Sequence, residues 1–519
     1  MKKTSFSMTN SPQNLTRSSV ITEMHSQLGT LSKNLEPMAK IIPPGPQRIR
    51  GIAGSGKTVL LCQKAAYMHL QNPDWDIALV FFTRSLYDLM ENQVNKWLKY
   101  FSDGKLEYEK CNSKLKVFHA WGTDEKNGLY RKIRKAHNFK PEPHNYPNYS
   151  PPEQLAKVVI QLLEAREIKP MFDAILIDEG NDLVVRDELK YQGKQPIYWL
   201  AWQALRPVNP EKPQQKRLIW AYDEAQTLHS LKIPTAKELF GEELSDLVKG
   251  MDKGAISKSI IMKQCFRTPH SILTAAHAIG MGLFRPDGML SGYTNKKDWQ
   301  NIGYQVEGSF NNGQTITLSR PSENSPNPIP HIWKKPVLEF NIYKTREAEL
   351  TVLAEKIKYN LEQDRLNPSR NILVIILGSS REEAMALQQE VGEFLIEQNI
   401  NIYIPSASNI NDLERNDRNR NQFWHEEGIT ISLIHRAKGN EADMVYIIGV
   451  DKIAKNESNI NLRNALFVAL TRARGWAVLS GIGDYPMYQE IRQVIDIAES
   501  GKPFTFTYKR SPQWNLNDR

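Results

Sequence analysis

Gly51-Ile52-Ala53-Gly54-Ser55-Gly56-Lys57-Thr58 is a full G-x-x-x-x-G-K-[ST] sequence, set between a short apolar run around Ile49 and an amphipathic helical pattern that begins after Lys57. Glycines at these places let the backbone curl so that successive N–H groups point at phosphate oxygens. Lys57 brings charge to the β and γ phosphates, and the Thr58 hydroxyl suits a magnesium ion. The stretch predicts binding of a nucleoside triphosphate, ATP or GTP, by Gly51, Gly54, Ser55, Gly56, Lys57 and Thr58.

Such a loop needs a carboxylate at the end of a neighbouring strand. Ala174-Ile175-Leu176-Ile177-Asp178-Glu179 supplies one, with Asp178 placed to join Thr58 in the shell of the metal. Glu179, one residue on, is placed to orient or deprotonate an attacking water, the part a carboxylate takes when the reaction is hydrolysis. The two stretches together point to an NTPase.

Working outward, β-branched apolar runs alternate with helical patterns, the signature of parallel sheets covered by helices on both faces. One group of runs lies around Ile49, at Ile77 to Phe82, Ala174 to Ile177, Leu218 to Tyr222 and Ser259 to Met262. A second lies at Val337 to Ile342, Ile372 to Leu377, Ile400 to Ile404, Ile429 to Ile434 and Met444 to Val450, with helices near 346–362, 381–397 and 461–473. Two α/β domains of similar plan are expected, over 46–284 and 336–500, the first with a small insertion at about 122–170. The polar residues 1–45 read as an extension, in part disordered and mobile to about residue 25. Residues 285–335, rich in Gly, Asn and Pro, read as a small insertion or linker, and 501–519 as a tail.

Composition narrows the partners. The 519 residues allow roughly three or four compact units, and a net charge of +9 favours a polyanionic partner. Cys62, Cys111 and Cys265 are far apart and lack C-x-x-C spacing, so neither a disulfide framework nor a structural zinc is indicated. No apolar run approaches the 18 residues of a membrane span and no apolar segment follows Lys2 and Lys3, so no membrane partner is expected and the cytosol is the default compartment.

With the loop and the Asp-Glu pair in place, four later stretches fall in the order of the motifs of superfamily 1 helicases of the UvrD-like branch. Tyr222-Asp223-Glu224-Ala225-Gln226 resembles the third motif, and Gln264-Cys265-Phe266-Arg267-Thr268 the fourth. Ile434-His435-Arg436-Ala437-Lys438-Gly439-Asn440-Glu441 is similar to the fifth, and Leu466-Phe467-Val468-Ala469-Leu470-Thr471-Arg472-Ala473 to the sixth. The resemblance runs from about residue 47 to residue 481. It implies two RecA-like P-loop domains with an ATP cleft between them, ATP and Mg²⁺ as ligands, and a compact form whose insertion domains are much reduced.

The resemblance also implies roles. Gln226 would sense the γ-phosphate, Arg267 and Arg472 would touch it from across the cleft, Phe266 would stack on the base, and Gly439 and Glu441 would approach the nucleotide. Thr83-Arg84, at the end of a strand, and Phe118-His119-Ala120-Trp121 occupy places where relatives contact nucleic acid, as do His435 and Arg436. Hydroxyls and guanidinium groups suit phosphates, and an exposed aromatic suits bases. Three departures stand out. No glutamine precedes the loop where relatives read adenine, since Leu35-Glu36-Pro37-Met38 stands there; Asn181 replaces the usual Gln after Asp178-Glu179; and Leu433 replaces a common Thr.

The expected activity is ATP-driven helicase or translocase movement on single-stranded DNA, or on RNA. The Lys438-Gly439-Asn440-Glu441 pattern is similar to that of the 3′-to-5′ branch. The alternative is an ATPase switch triggered by nucleic acid or a partner within a larger repair or defence complex. Nothing resembles a nuclease site, so cutting would need another chain, a nuclease partner.

Overall fold

The computed structural model describes residues 15–108, 114–122, 128–142, 148–224, 231, 234–252, 254–415 and 422–512. Gln226 lies outside them, as do residues 1–14 of the extension expected to be in part disordered.

The first sheet contains β1 (Gln47–Ile52), β2 (Ile77–Phe81), β3 (Leu115–His119), β4 (Ala174–Ile177), β5 (Pro207–Asn209) and β6 (Lys212–Glu224). Beyond a minimal hairpin, β7 (Met251–Asp252) and β8 (Ile256–Ser257), it is completed by β9 (Ser259–Met262). The order is β3-β2-β4-β6-β1-β9, parallel throughout, with β5 antiparallel to β6. The runs of β2 and β4 are buried at every residue because helices cover both faces, so neither shows the alternation of a half-exposed strand. Register sets the site: Gly51 lies opposite Asp223, and Ile177 opposite Trp220, so the glycine-rich turn, Asp178 and Asp223 share one edge of the sheet.

The second sheet follows a polar stretch that the sequence presents as a linker. There, β10 (Gln305–Gly308) and β11 (Thr315–Ser319) pair antiparallel. The sheet itself contains β12 (Leu338–Tyr343), β13 (Ile372–Ile376), β14 (Ile402–Tyr403), β15 (Ile429–Leu433), β16 (Ala442–Ile448) and β17 (Ala473–Ile482). Its order is β12-β17-β16-β13-β15-β14, again all parallel. The fold is thus α/β with two parallel sheets flanked by helices.

Three expectations are corrected. Residues 285–335 are more than a surface linker: Trp299, Ile302, Tyr304, Ile316, Leu318, Ile329 and Trp333 are buried in the core of the second module. The expected tail supplies β18 (Phe504–Thr507), which pairs with β11 and closes a three-stranded sheet. The polar N-terminal stretch holds a helix, α1 (Arg17–Lys33), whose Val20, Ile21 and Met24 are buried in that same second core. The spacing of these three is helical, but polar neighbours on every side mask it. After α1 comes the single turn α2 (Glu36–Ala39), packed on α3 (Lys57–Gln71) of the first module, with Leu35 and Ala39 in the first core.

The chain passes between modules after β9. Helix His270–Met281 is buried along nearly its whole length and packs on helices Ile460–Leu470 and Pro486–Glu499. Arg463 fastens this trio, donating to Ile279 O at 2.6 Å and to both carboxylate oxygens of Glu490 at 3.0 and 2.7 Å, with no exposure of its own side chain. Removing one partner leaves the other charge buried alone, which costs about 3–5 kcal/mol. Glu490→Ala should lower unfolding free energy by about that amount in urea titration, and Arg463→Met/Glu490→Leu by less.

Candidate nucleotide site between the two modules

The glycine-rich turn is built by backbone shape. Gly54 and Gly56 have φ of 77° and 88°, the left-handed region in which a side chain is strained. A Cβ at Gly54 would also stand 2.6 Å from the Cβ of Arg267. Gly56 opens α3, whose first residue, Lys57, is buried and donates to the carbonyls of Gly51 and Ile52 at 3.0 and 2.9 Å. Its ammonium group also pairs with Asp223.

Thr58 donates its hydroxyl to Asp178 Oδ2 at 2.7 Å. Asp178 is 1 % exposed, and burial foremost raises its carboxyl above the ordinary value, against the pull of Thr58 and Lys57. Glu179 adopts φ 49° and is raised too, by burial first and then by the negative charges of Asp223, Asp182 and Asp178. The Thr58 hydroxyl and the Asp178 carboxylate set hard oxygen donors side by side, the donor chemistry a divalent cation takes. Thr58 and Asp178 are the residues that would hold magnesium there, where it would shield phosphate charge.

Cations face this edge from the other side. Arg472, 1 % exposed, donates to Val468 O at 3.0 Å and to the Thr471 hydroxyl at 3.1 Å; burial, then the nearness of Arg267, pushes its guanidinium down to about 10. Arg267 pairs with Glu441, and Arg474 lies 3.8 Å from Glu441 and 2.9 Å from Asp443. Burial disfavours the Glu441 anion, but Arg267, Arg474 and Arg472 outweigh it and hold the carboxyl below its usual range. Between the two sides lies a cleft of about 270 Å³.

Of the residues expected at the nucleotide, Gly54, Gly56, Lys57, Thr58, Asp178, Glu179, Phe266, Arg267, Gly439, Glu441 and Arg472 line this one cleft. Gly51 and Ser55 lie in the same turn, where a Cβ on Gly51 would meet the Ser55 hydroxyl at 2.6 Å. Sequence reasoning missed Asp223, Arg474, and His25, Leu28 and Leu35 of the N-terminal segment, which also line the cleft. For Asp223 the signal was present in the third motif; for His25 and Leu28 there was none. Asn181, where relatives carry Gln, exchanges two hydrogen bonds with the backbone of Asp223, at 3.0 and 3.1 Å, and so ties the β4 edge to the β6 edge.

The expected nucleic-acid contacts divide. Thr83 and Arg84 stand partly exposed beyond β2. Phe118 is buried in the first core, which removes it as a contact. His119 is buried as well: Nδ1 accepts the N–H groups of Trp121 and Gly122 at 3.1 and 3.2 Å, Nε2 meets Phe82 O, and the ring stacks on Phe82. Burial, then Arg84, lowers its pKa to about 4, so it braces the loop as a neutral ring. Trp121 is half-buried against the same core. His435 is lowered to about 4 by burial and by Arg381, Arg415 and Arg436, a cluster of cations at one edge of the second sheet. Arg381 and Arg415 carry no motif and were not foreseen; Arg381 opens the helix Arg381–Glu397.

The fold and this site define a two-module α/β protein with a glycine-rich turn at the module boundary. Residues 428–480, which span β15 to β17 and carry Gly439, Glu441, Arg472 and Arg474, match the family described as UvrD-like helicase C-terminal domain. In this segment the chain is similar to UvrD-like helicases. Among solved structures, the C-terminal domain of a possible DNA helicase from Lactobacillus plantarum WCFS1 is 14 % identical, over 32 % of this chain and 86 % of that one, with a TM-score of 0.23. A Saccharomyces cerevisiae Dbp5 variant bound to Nup159, a Gle1 variant, IP6 and ADP is 8 % identical over 96 % of both chains, with a TM-score of 0.42. A comparison with curated proteins finds no match.

Gly54→Ala places a methyl group against Arg267 in a strained conformation. It should weaken binding of a fluorescent ATP analogue at least about tenfold, the scale of the 1–3 kcal/mol that such strain costs, in equilibrium titration.

Proposed function

We propose that the chain is an ATP-driven motor on single-stranded nucleic acid, moving 3′ to 5′ on DNA. The observation that carries this reading is the composition of the cleft: the phosphate loop, Asp178 and Glu179 stand on one module, while Arg472, Arg474 and Glu441 stand on the other. A site divided in this way is complete only when the modules close, and it loses its reason to stay closed once the γ-phosphate leaves. Lys57 and the turn hold the phosphates. Glu179 orients the attacking water, and Arg472 and Arg267 offset the charge that develops on the transferred group. Thr83, Arg84, Arg436 and the Arg381–Arg415 cluster present hydroxyl and guanidinium groups for a phosphate backbone.

A second reading, an ATPase switch triggered by nucleic acid or a protein partner such as a nuclease, draws on a different observation. Phe118 and His119 are buried and Trp121 is half-buried, so of these three expected contacts only Trp121 keeps any surface for a base. The two readings part on movement.

Glu179→Gln should leave ATP bound and cut turnover by at least about 10²-fold, and Arg472→Ala should cut it by up to about 10³-fold with single-strand binding retained. Phosphate release assays with single-stranded DNA, single-stranded RNA and duplex at stated salt measure both. Normal turnover in Glu179→Gln would remove the hydrolytic assignment.

For movement, ATP-dependent displacement of a streptavidin block is expected from a 3′ single-stranded tail and not from a 5′ tail. Affinity should fall steeply with salt, because phosphate neutralisation supplies most sequence-independent binding. DNA-stimulated hydrolysis without displacement would favour the switch.

A further inference from the structure

Lys438 reaches out of the second module and into the first. It follows β15 and the single helical turn Ile434–Ala437, and its ammonium group donates to Asp182 Oδ1 and lies 3.9 Å from Glu179 Oε2. The next residue explains how the loop comes so close. Gly439 has φ 84°, and a Cβ there would stand 3.1 Å from both methyl groups of Leu86 of the first module.

We propose that Lys438 is a positioning residue that fixes Glu179 and Asp182 only while the two modules are closed, and so makes hydrolysis depend on closure. The inference rests on the hydrolytic reading of Glu179 given above. Two observations support it. Glu179 Oε2 is buried and accepts no hydrogen bond among the described residues, and the groups facing it are the carboxylates of Asp178, Asp182 and Asp223 and the cations of Lys438, Arg267 and Arg472. Among the described residues, the cation paired with the Glu179 carboxylate is Lys438, 3.9 Å from Oε2 and supplied by the other module. Lys438 also pairs with Asp182, three residues after Glu179, so it reaches two carboxylates of the first module at once.

Asp182 serves as the anchor. It sits in the 3₁₀ turn Gly180–Leu183 directly after Glu179, and the Lys438 pair therefore clamps the turn that sets the Glu179 backbone. Separation of the modules withdraws the lysine from both carboxylates in one movement. A small displacement of a water-orienting group is enough to slow a reaction about 10²-fold.

The test is steady-state ATP hydrolysis, with and without single-stranded DNA, for Lys438→Met, Lys438→Arg, Asp182→Asn and the Lys438→Met/Asp182→Asn double variant, with thermal melting to confirm folding. Lys438→Met should lose about 30- to 100-fold in kcat with KM for ATP within about threefold, as expected for loss of aim and not of binding. Lys438→Arg should recover most of the loss. The double variant should be no slower than Lys438→Met, because both changes break one clamp. If Lys438→Met does not fold, Asp182→Asn decides in its place: a loss confined to kcat supports the clamp, and unchanged kinetics overturns it. A raised KM with intact kcat would make Lys438 a phosphate ligand, unchanged kinetics would make the pair incidental, and multiplied losses in the double variant would make the two residues independent; each overturns the proposal. Glu179→Gln measured alongside separates the two levels, since normal turnover there would defeat the hydrolytic reading itself.

Discussion

Four carboxylates, Asp178, Glu179, Asp182 and Asp223, gather where β4 and β6 end, and such a concentration of negative charge cannot be buried without cations beside it. Lys57 supplies one from within the first module. Arg472, Arg267 and Lys438 approach from the module boundary and beyond it. Charge therefore joins the two modules at these carboxylates, beside an apolar cluster that runs from the second core to Ile52 of β1. Exposed ion pairs exchange with water at small cost, whereas separated apolar faces do not.

Most of the sheet architecture could be read directly. The runs at Ile77, Ala174, Ile372 and Met444 are unbroken because helices cover both faces, and their strands lie where the runs do. β3 and β17 were not read from the sequence: Lys116 interrupts Leu115–His119, and in Ala473–Ile482 the short run Trp476-Ala477-Val478-Leu479 is flanked by Arg474, two glycines and a serine. At the cleft, spacing around motifs picked out residues that the fold gathers along one pocket. It could not find partners that only the fold brings near, such as Glu441 for Arg267 or Asp182 for Lys438, far apart in the chain.

Burial explains the residues that sequence placed on the wrong surface. Phe118 and His119 stand in a strand whose alternation does not decide which face meets solvent when both faces are covered. His119 accepts two backbone N–H groups and therefore shapes the loop that displays Trp121. Asn181 gives the converse case. A residue marked only as a departure from the usual Gln forms two hydrogen bonds that hold the Asp223 backbone, so the shorter amide keeps the β4 and β6 edges in step.

The N-terminal segment is moored at both ends to different bodies. Arg17 pairs with Asp364 at 2.6 Å and lies over Trp333 and Trp476 in the second module, while Glu36 accepts from Tyr100 of helix Tyr87–Phe101 and Ile41 O accepts from Lys64 of α3 in the first. Between these moorings runs a helix, which is nearly inextensible at 1.5 Å per residue. His25 and Leu28 lie on that helix and line the cleft, so the segment that straps the two modules together also forms part of the wall between them.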